Sequence, residues 1–429
     1  MIRIIKADGT AEMDFLKELR ARSGETDKAV TQTVTEIIND VRENGDRAVD
    51  KYSKKFDGFI PEKRILDRED IRKAAEQCEG EYLEMLRRAA ANIERFHRRQ
   101  VQQSWLTTEE DGVILGQRIR GLHRVGVYVP GGTAAYPSSV LMCVIPAKIA
   151  GVKEIVMVTP PSKEEANKTI LAAAYIAGVD KIYLMGGAQA VAALAYGTET
   201  VPKADKIVGP GNIYVATAKR LIYGAADIDM IAGPSDILIV ADDSANYKYL
   251  AADLLSQAEH DVLASSILIT VSMETAKLVQ KETERQLNNL PRKEIAGKAI
   301  ENNSAIIVCE NMDKAVELAN EFAPEHLEVS ARDPMTYIGK IDNAGSVFLG
   351  NYSPEPLGDY YVGPNHVLPT LGTARFFSPL SVDSFVKKSS FMYYTKSAFE
   401  RSADDVIMFA ESEGLKAHAN SVRVRREDV

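Results

Sequence analysis

Hydrophobic and polar positions change rhythm near residue 125. Before it, residues 27–42 and 67–99 carry apolar side chains three and four apart with charge on the opposite side, so the first hundred residues read as amphipathic helices. After it, short β-branched runs alternate with alanine-rich stretches. Gly126-Val-Tyr-Val129 reads as a buried strand ending in Pro130-Gly-Gly132, with a helix starting around Ser138. Strands are predicted at 154–159, 181–185 and 206–208, each followed by Gly or Pro and then a helical stretch. A second series begins after Gly233-Pro-Ser235, with strands at 236–240, 266–271, 305–309, 327–330 and 346–349. This alternation is the signature of parallel sheets covered by helices on both faces. The similar texture of KEIVMVTPP and SDILIVADD hints at two related α/β halves. Beyond about 380 comes a short strand (389–394), a helix up to Glu413 capped by Gly414, and a polar stretch ending in VRVRRED. That tail is too small to fold alone and is expected to dock on something.

Length and charge narrow the function classes. At roughly 150 residues per domain, 429 residues make two to three domains with ample core. With 52 Lys+Arg against 61 Asp+Glu the net charge is −9, which gives no general attraction to phosphate backbones, and the only basic clusters are short, such as Arg98-Arg99 and 423–426. No nucleic-acid partner is expected. The longest apolar run near the middle, 140–147, stops at Lys148, well short of the ~20 residues that span a bilayer. Asp8 stands where a signal peptide needs its apolar core, so the expectation is a soluble, cytoplasmic protein with no membrane association. Cys78, Cys143 and Cys309 are isolated, which speaks against a disulfide framework or a thiolate zinc cluster. Cys143 and Cys309 read as core residues in a reducing compartment.

Parallel sheets offer ligands the C-terminal ends of their strands, so the glycine-rich turns are the first places to search. Three stand out: Val129-Pro-Gly-Gly-Thr133, Met185-Gly-Gly-Ala-Gln189 and Val208-Gly-Pro-Gly-Asn212. None is the dinucleotide fingerprint, since Tyr214 occupies the third glycine position of the last, so nucleotide binding and ordinary turn chemistry both stay open. Of six histidines, His97 and His123 read as surface or packing residues. The other four sit in polar clusters. Gln257 and His260 are three apart at a helix end and could reach one metal, or His260 could simply cap the helix. Glu325-His326, after Pro324, is either an acid–base pair or a structural ion pair. Asp359 and His366 lie in a loop rich in Gly, Pro and Tyr, and His418 opens the C-terminal tail after Glu413. Together, Gln257, His260, Asp359 and His418 supply nitrogen and oxygen donors that suit zinc without any thiolate. The residues alone carry the reading to an α/β enzyme with a possible N/O metal site and a Glu/His pair.

The sequence closely resembles the histidinol dehydrogenase family over nearly the whole chain. The match is carried by RVGVYVPGGTAAYPSSVLM, GGAQAVAALAYGT, KIVGPGNIYVATAKR, DMIAGPSDILIVAD, DLLSQAEHD, FAPEHLEV, GDYYVGPNHVLPTLGTARF and EGLKAHANSVRVR. The resemblance implies an α/β fold with two incomplete, divergent Rossmann-like parallel-sheet domains, a helical N-terminal region and a small C-terminal dimerisation segment. The corresponding boundaries are an N-terminal arm at 1–22, a main substrate and zinc domain at 23–126 plus 234–380, an NAD domain at 127–233, and a segment at 381–429 that crosses to the partner of a homodimer.

The same resemblance implies oxidation of L-histidinol through an enzyme-held aldehyde to L-histidine with two NAD+, the last step of histidine biosynthesis. One Zn2+ per subunit would be bound by Gln257, His260, Asp359 and His418 and would grip the substrate. His326 would be the base for both oxidations, and Glu325 would activate the water. Ser235, His366 and Glu413 match the family's remaining substrate contacts, and Tyr128, Gln189 and Asn212 its NAD contacts. Other readings are a dehydrogenase for another polar alcohol, a zinc hydrolase with Glu325 as base, and a silent nucleotide sensor. Glu413 and His366, suited to an amino-imidazole substrate, speak against the first, and an intact Glu325-His326 against the last. Manganese suits the donor set as well as zinc does.

Overall fold

A computed structural model of the chain describes residues 1–24, 28–131, 136–161 and 166–427. Gly132 and Thr133 of the first glycine-rich turn, and Asp27 at the expected helix start, lie outside the described residues. The strands, in chain order, are β1 (Arg3–Lys6), β2 (Ile65–Leu66), β3 (Trp105–Thr107), β4 (Val113–Gly121), β5 (Arg124–Tyr128), β6 (Glu154–Thr159), β7 (Lys181–Leu184), β8 (Lys206–Val208), β9 (Asp227–Ile228), β10 (Asp236–Ala241), β11 (Ser265–Thr270), β12 (Ala305–Val308), β13 (His326–Ser330), β14 (Ser346–Leu349) and β15 (Val386–Tyr394). The chain divides into two compact units. Met1–Gln100 with Leu122–Phe385 forms the first, and Val101–Gly121 with Val386–Val429 the second.

The first unit holds two six-stranded sheets, ordered β2-β7-β6-β5-β8-β9 and β1-β12-β11-β10-β13-β14. Numbered within each run, β5–β9 and β10–β14 share one order, 3-2-1-4-5, and each sheet gains an edge strand from the first hundred residues. Within each run all pairings are parallel; β1 also joins parallel, whereas β2 joins antiparallel. The α/β class and the idea of two like halves therefore hold. The pairing of KEIVMVTPP with SDILIVADD does not, because β6 is the second strand of its run and β10 the first of its own.

Both sheets are apolar on both faces, which is why their strands read as continuous hydrophobic runs. Along β6, Ile155 and Met157 face the helix Pro137–Ile149 and its neighbours, while Val156 and Val158 face the alanine-rich helix Gly187–Tyr196 and Val30, Val34 and Ile37. Along β10, Ile237 and Ile239 point to one core and Leu238 and Val240 to the other. Cys143 and Cys309 are buried and free. His97 is buried as well, its Nδ1–H bonded to the Ile93 carbonyl.

Three local expectations need correction. The stretch 67–99 is broken into helices Arg68–Ala75 and Gly80–His97, the first started by Asp67, whose carboxylate accepts from the N–H groups of Glu69 and Asp70. Residues 3–6 are a strand of the second sheet, not part of a helical region. The polar tail is the helix Lys416–Glu427. In the second unit β4 pairs antiparallel with both β15 and β3, followed by helices Lys396–Ser412 and Lys416–Glu427, with Gly414 in the left-handed region between them. Among the described residues no helix is long and apolar enough to cross a membrane.

Candidate active site

The helix Met312–Phe322 ends in Ala323, held in the left-handed conformation, and Pro324 then turns the chain into β13. His326 opens that strand, paired with Ile237 of β10 and Ser346 of β14. Leu327 and Val329 point into the core beneath Phe322 and Phe15, which leaves His326 and Glu328 on the face toward the helix Tyr247–Ala258. The pair Glu325-His326 thus lies at the N-terminal edge of the second sheet, opposite to the edge where parallel sheets ordinarily hold ligands.

Asp236, the first residue of β10, organises this pair. Its carboxylate accepts the Glu325 N–H at 2.8 Å and also the Leu371 N–H. Its own N–H donates to Glu325 Oε2 at 3.0 Å, and its carbonyl accepts the His326 Nδ1–H at 3.0 Å. The Ser235 hydroxyl donates to the Glu325 carboxyl. The two side chains come within 3.8 Å of each other, His326 Nδ1 to Glu325 Oε2. Because Nδ1 carries the proton, Nε2 is the bare nitrogen, and it is buried with no hydrogen-bond partner.

Two carboxylates face that nitrogen. Glu355 Oε1 lies 3.9 Å and Asp359 Oδ1 4.0 Å from His326 Nε2. Four residues apart on the short helix Glu355–Tyr360, they share its inner face, so the stretch expected as a loop from Gly358 onward begins inside a helix. His326, Glu355 and Asp359 place one ligand atom each within 4.8 Å of one another and could hold a metal ion. Glu328 Oε1 accepts the Glu355 N–H at 2.8 Å and hydrogen-bonds Asp253, anchoring that helix to β13. His366 donates its Nδ1–H to the Asp359 carbonyl at 3.0 Å and accepts from the Ser139 hydroxyl at 3.4 Å. Gln257, in the last turn of the helix Tyr247–Ala258, is fully buried with both amide atoms unpartnered. His260 follows on the turn, exposed, and close enough to His326 and His366 for its charge to act on both. Glu413 caps the helix Lys396–Ser412 and His418 lies on Lys416–Glu427, both exposed in the second unit.

Burial sets the protonation states. It holds the imidazoles of His326 and His366 below their ordinary range, outweighing the attraction of the Asp359 carboxylate, so both rings are neutral. Burial, with the negative charge of Asp236 next, raises Glu325 well above the carboxylate range. Asp236 itself is pushed up to about 6 by burial, and Glu355 to about 9 by burial and then the Asp359 charge.

The three glycine-rich turns meet at the C-terminal edge of the first sheet. Tyr128, at the end of β5, accepts the Gly187 N–H on its phenol oxygen at 3.0 Å. A Cβ on Gly209 would collide with the Tyr128 carbonyl, and that glycine's φ of +112° is closed to other residues. Gln189, in the helix Gly187–Tyr196, is buried, and neither of its amide atoms has a partner among the described residues. Asn212 caps the helix Ile213–Ile222, its side-chain oxygen accepting from Tyr214 and Val215. The first and last of these turns follow β5 and β8, between which the strand order reverses, and the second follows β7. The His366–Ser139 bond ties the two places together, since Ser139 lies in the first turn of the helix that follows β5.

The sequence reading passed over Asp236, Glu355 and Ser139. Asp236 looked like the polar start of an apolar strand, and Ser139 like ordinary helix-start chemistry. Glu355 carried a visible signal, a carboxylate after Pro354 and four residues before Asp359.

A neutral histidine base beside a carboxyl on one sheet, tied to glycine-rich turns at the switch point of another, makes this a two-sheet α/β enzyme. A family model for histidinol dehydrogenase matches residues 20–426. A histidinol dehydrogenase of Clostridium acetobutylicum is 54% identical over 427 residues, covering 99% of each chain, and one of Bacillus cereus is 54% identical over the full length of both. The crystal structure of histidinol dehydrogenase from Elizabethkingia anophelis superposes with a TM-score of 0.92 at 38% identity, over 100% of this chain and 98% of that one. The chain belongs to the histidinol dehydrogenase family and is an oxidoreductase.

Proposed function

We propose that the protein oxidises L-histidinol to L-histidine in two successive steps, with two NAD+ as hydride acceptors and one zinc per site, as a cytoplasmic homodimer. The observation that carries this reading is the state of His326: its proton is spent on the Asp236 carbonyl, and its buried Nε2 is bare. A ring so held is a neutral base with one lone pair directed at whatever enters the site. As hydride leaves the carbinol carbon, Nε2 accepts the hydroxyl proton and the aldehyde results. Glu325 then takes a proton from the water that adds to the aldehyde carbon, while the protonated His326 returns its proton to the aldehyde oxygen, giving the gem-diol. The gem-diol loses a second hydride while Nε2, having released its first proton, accepts another, and the carboxylic acid remains. The environment that raises the Glu325 pKa also makes it a stronger base once ionised.

Zinc would be held by Gln257, His260 and Asp359 with His418 of the partner subunit, and its chemistry there is to template the imidazole and amino nitrogens of the substrate. The orphaned amide of Gln257, which nothing among the described residues satisfies, supports that fit. Ser235 and His366, with Glu413 of the partner subunit, would complete the substrate contacts. Tyr128, Gln189 and Asn212 would contact NAD, and the equally orphaned amide of Gln189 supports this. On this reading residues 127–233 are the nucleotide domain, 23–126 plus 234–380 the substrate domain after an arm at 1–22, and 381–429 the segment that crosses between subunits. Met392, Met408 and Phe409, each about two-thirds exposed on the second unit, fit a surface covered by a second copy. Free, buried thiols at Cys143 and Cys309 suit a reducing compartment.

The test is NADH formed per L-histidinol consumed by zinc-loaded protein, with Glu325→Gln and His326→Gln alongside. Two NADH, with both variants impaired, is the expected result. One NADH with free aldehyde released would remove the second half-reaction, and none with zinc bound would remove the whole reading.

A further inference from the structure

Beneath the turn that follows β8 lies an ion pair closed off from water. Lys219 Nζ and Asp229 Oδ1 are in contact, their side chains 3% and 1% exposed. Lys219 belongs to the helix Ile213–Ile222, into which the turn leads, and Asp229 directly follows β9, the strand beside β8. Both reach the same residue. Asp229 Oδ2 accepts the Gly209 N–H at 2.7 Å, and Lys219 Nζ donates to the Gly209 carbonyl at 3.0 Å. The remaining capacity of Asp229 Oδ1 goes to the Met230 N–H at 2.7 Å.

The placement is costly for mere cohesion. Taking two charges out of water is unfavourable, and apolar side chains of similar volume would join this helix to the sheet as well or better. The neighbours Val208, Val215, Ala218 and Ile222 are all such residues, fully buried. What apolar groups could not supply is one donor and one acceptor for the two backbone groups of Gly209. That residue stands just past the end of β8 with its φ at +112°. Its orientation decides where Pro210, Gly211 and the Asn212 cap lie, and hence where the positive end of the dipole of the helix Ile213–Ile222 points.

We propose that Lys219 and Asp229 are positioning residues for the dinucleotide, a buried clamp that fixes Gly209 so that the turn and the helix it opens meet the pyrophosphate in a set geometry. This deepens the NAD reading given above and rests on it. The clamp touches neither ligand nor metal, so its effect should fall on nucleotide affinity.

The experiment uses full-length, zinc-loaded protein carrying Lys219→Met, Asp229→Asn, or the double change Lys219→Met/Asp229→Leu, which exchanges the pair for apolar bulk. NADH affinity is read from the coenzyme's own fluorescence, beside KM for NAD, KM for L-histidinol, kcat and melting temperature. Single variants are expected to weaken NADH binding and raise the NAD KM at least tenfold, with a much smaller effect on the L-histidinol KM. The double variant should recover melting temperature, having no unpaired buried charge, yet keep the weak NADH binding. A folded double variant with wild-type NADH affinity would make the pair purely structural and overturn the proposal. So would an unfolded double variant if Asp229→Asn binds NADH normally. Failure of the wild-type protein itself to bind NADH would instead remove the nucleotide reading, and the clamp with it.

Discussion

Replacing Asp236 by asparagine sets two effects of opposite sign against each other. The carboxylate accepts N–H groups from Glu325 and Leu371, and an amide can offer only one acceptor oxygen. One of those buried donors would then face an NH2 group, at a cost of ~1–3 kcal/mol at every pH. Against this, burial raises the Asp236 pKa from 3.8 to about 6 in the folded protein. A carboxyl with a raised folded pKa gives full stability below its unfolded pKa and loses it as pH climbs through the window between the two values. Two units correspond to about 3 kcal/mol lost by wild type above pH 6 and not by the variant. The variant should therefore melt below wild type at pH 4.5, where about a third of that penalty has developed, and level with it or above it at pH 8. Differential scanning fluorimetry of the metal-free proteins would show it, each kcal/mol being worth roughly 2 °C or less at this size. An equal deficit at both pH values would refute the claim that Asp236 carries a penalised buried charge. Because the backbone carbonyl of Asp236, not its side chain, holds His326, alcohol oxidation should suffer less than oxidation of added aldehyde.

Ser139→Ala removes the hydroxyl that holds His366 Nε2 at 3.4 Å. The L-histidinol KM is expected to rise about fivefold, ~1 kcal/mol, with kcat little changed; a fall in kcat at constant KM would contradict a binding role. Gly209→Ala drives a methyl group into the Tyr128 carbonyl at a φ only glycine adopts freely, so a loss of about 3 kcal/mol should appear in chemical denaturation, and less than 1 would count against the turn geometry. Truncation before residue 410 removes Glu413 and His418 and should abolish both zinc retention and activity, whereas full zinc occupancy would end the idea of a shared site.

The strands that the sequence pattern locates best include β6 and β8, buried and paired on both sides, where a short apolar run is sufficient evidence, and β14, a half-buried edge strand marked only by its apolar run. β1 was invisible because Arg-Ile-Ile-Lys gains its meaning only from β12, about three hundred residues away. β4 failed for a related reason: its mixed polarity suits a strand paired with β15 in the small second unit, and local period carries no trace of that partner. At the site, Glu325-His326 and Asp359 stood out because titratable side chains interrupt an otherwise patterned chain. Asp236 escaped notice because its role lies in backbone and side-chain bonds made at once, which no spacing encodes. The edge of the second sheet was misjudged too, since the rule about C-terminal strand ends concerns helix N-termini and says nothing of sites built at the other edge.

That inversion has a physical logic. At the C-terminal edge of the first sheet, helices begin, and their free N–H groups and positive dipole ends favour an anionic ligand such as a pyrophosphate. The same edge of the second sheet is tied shut by Asp242, which accepts from Ser244 and from the Arg332 N–H. At its N-terminal edge the helices Tyr247–Ala258 and Met312–Phe322 end, and helix C-termini favour cations. There Asp359 and Glu355 gather around His326, and the buried Gln257 lies in the last turn of the first of those helices. Two sheets of one strand order are thus used in opposite polarity, an anion-favouring edge joined to a cation-favouring one through His366 and Ser139. Asn365 secures that joint from inside the core, donating to the Met142 carbonyl at 2.7 Å and to His97 Nε2 at 3.3 Å. Hydride transfer demands that donor and acceptor carbons be held about 3–3.5 Å apart and aligned. On the reading proposed above, a joint made of these hydrogen bonds would keep the alcohol set against the nucleotide through both oxidations.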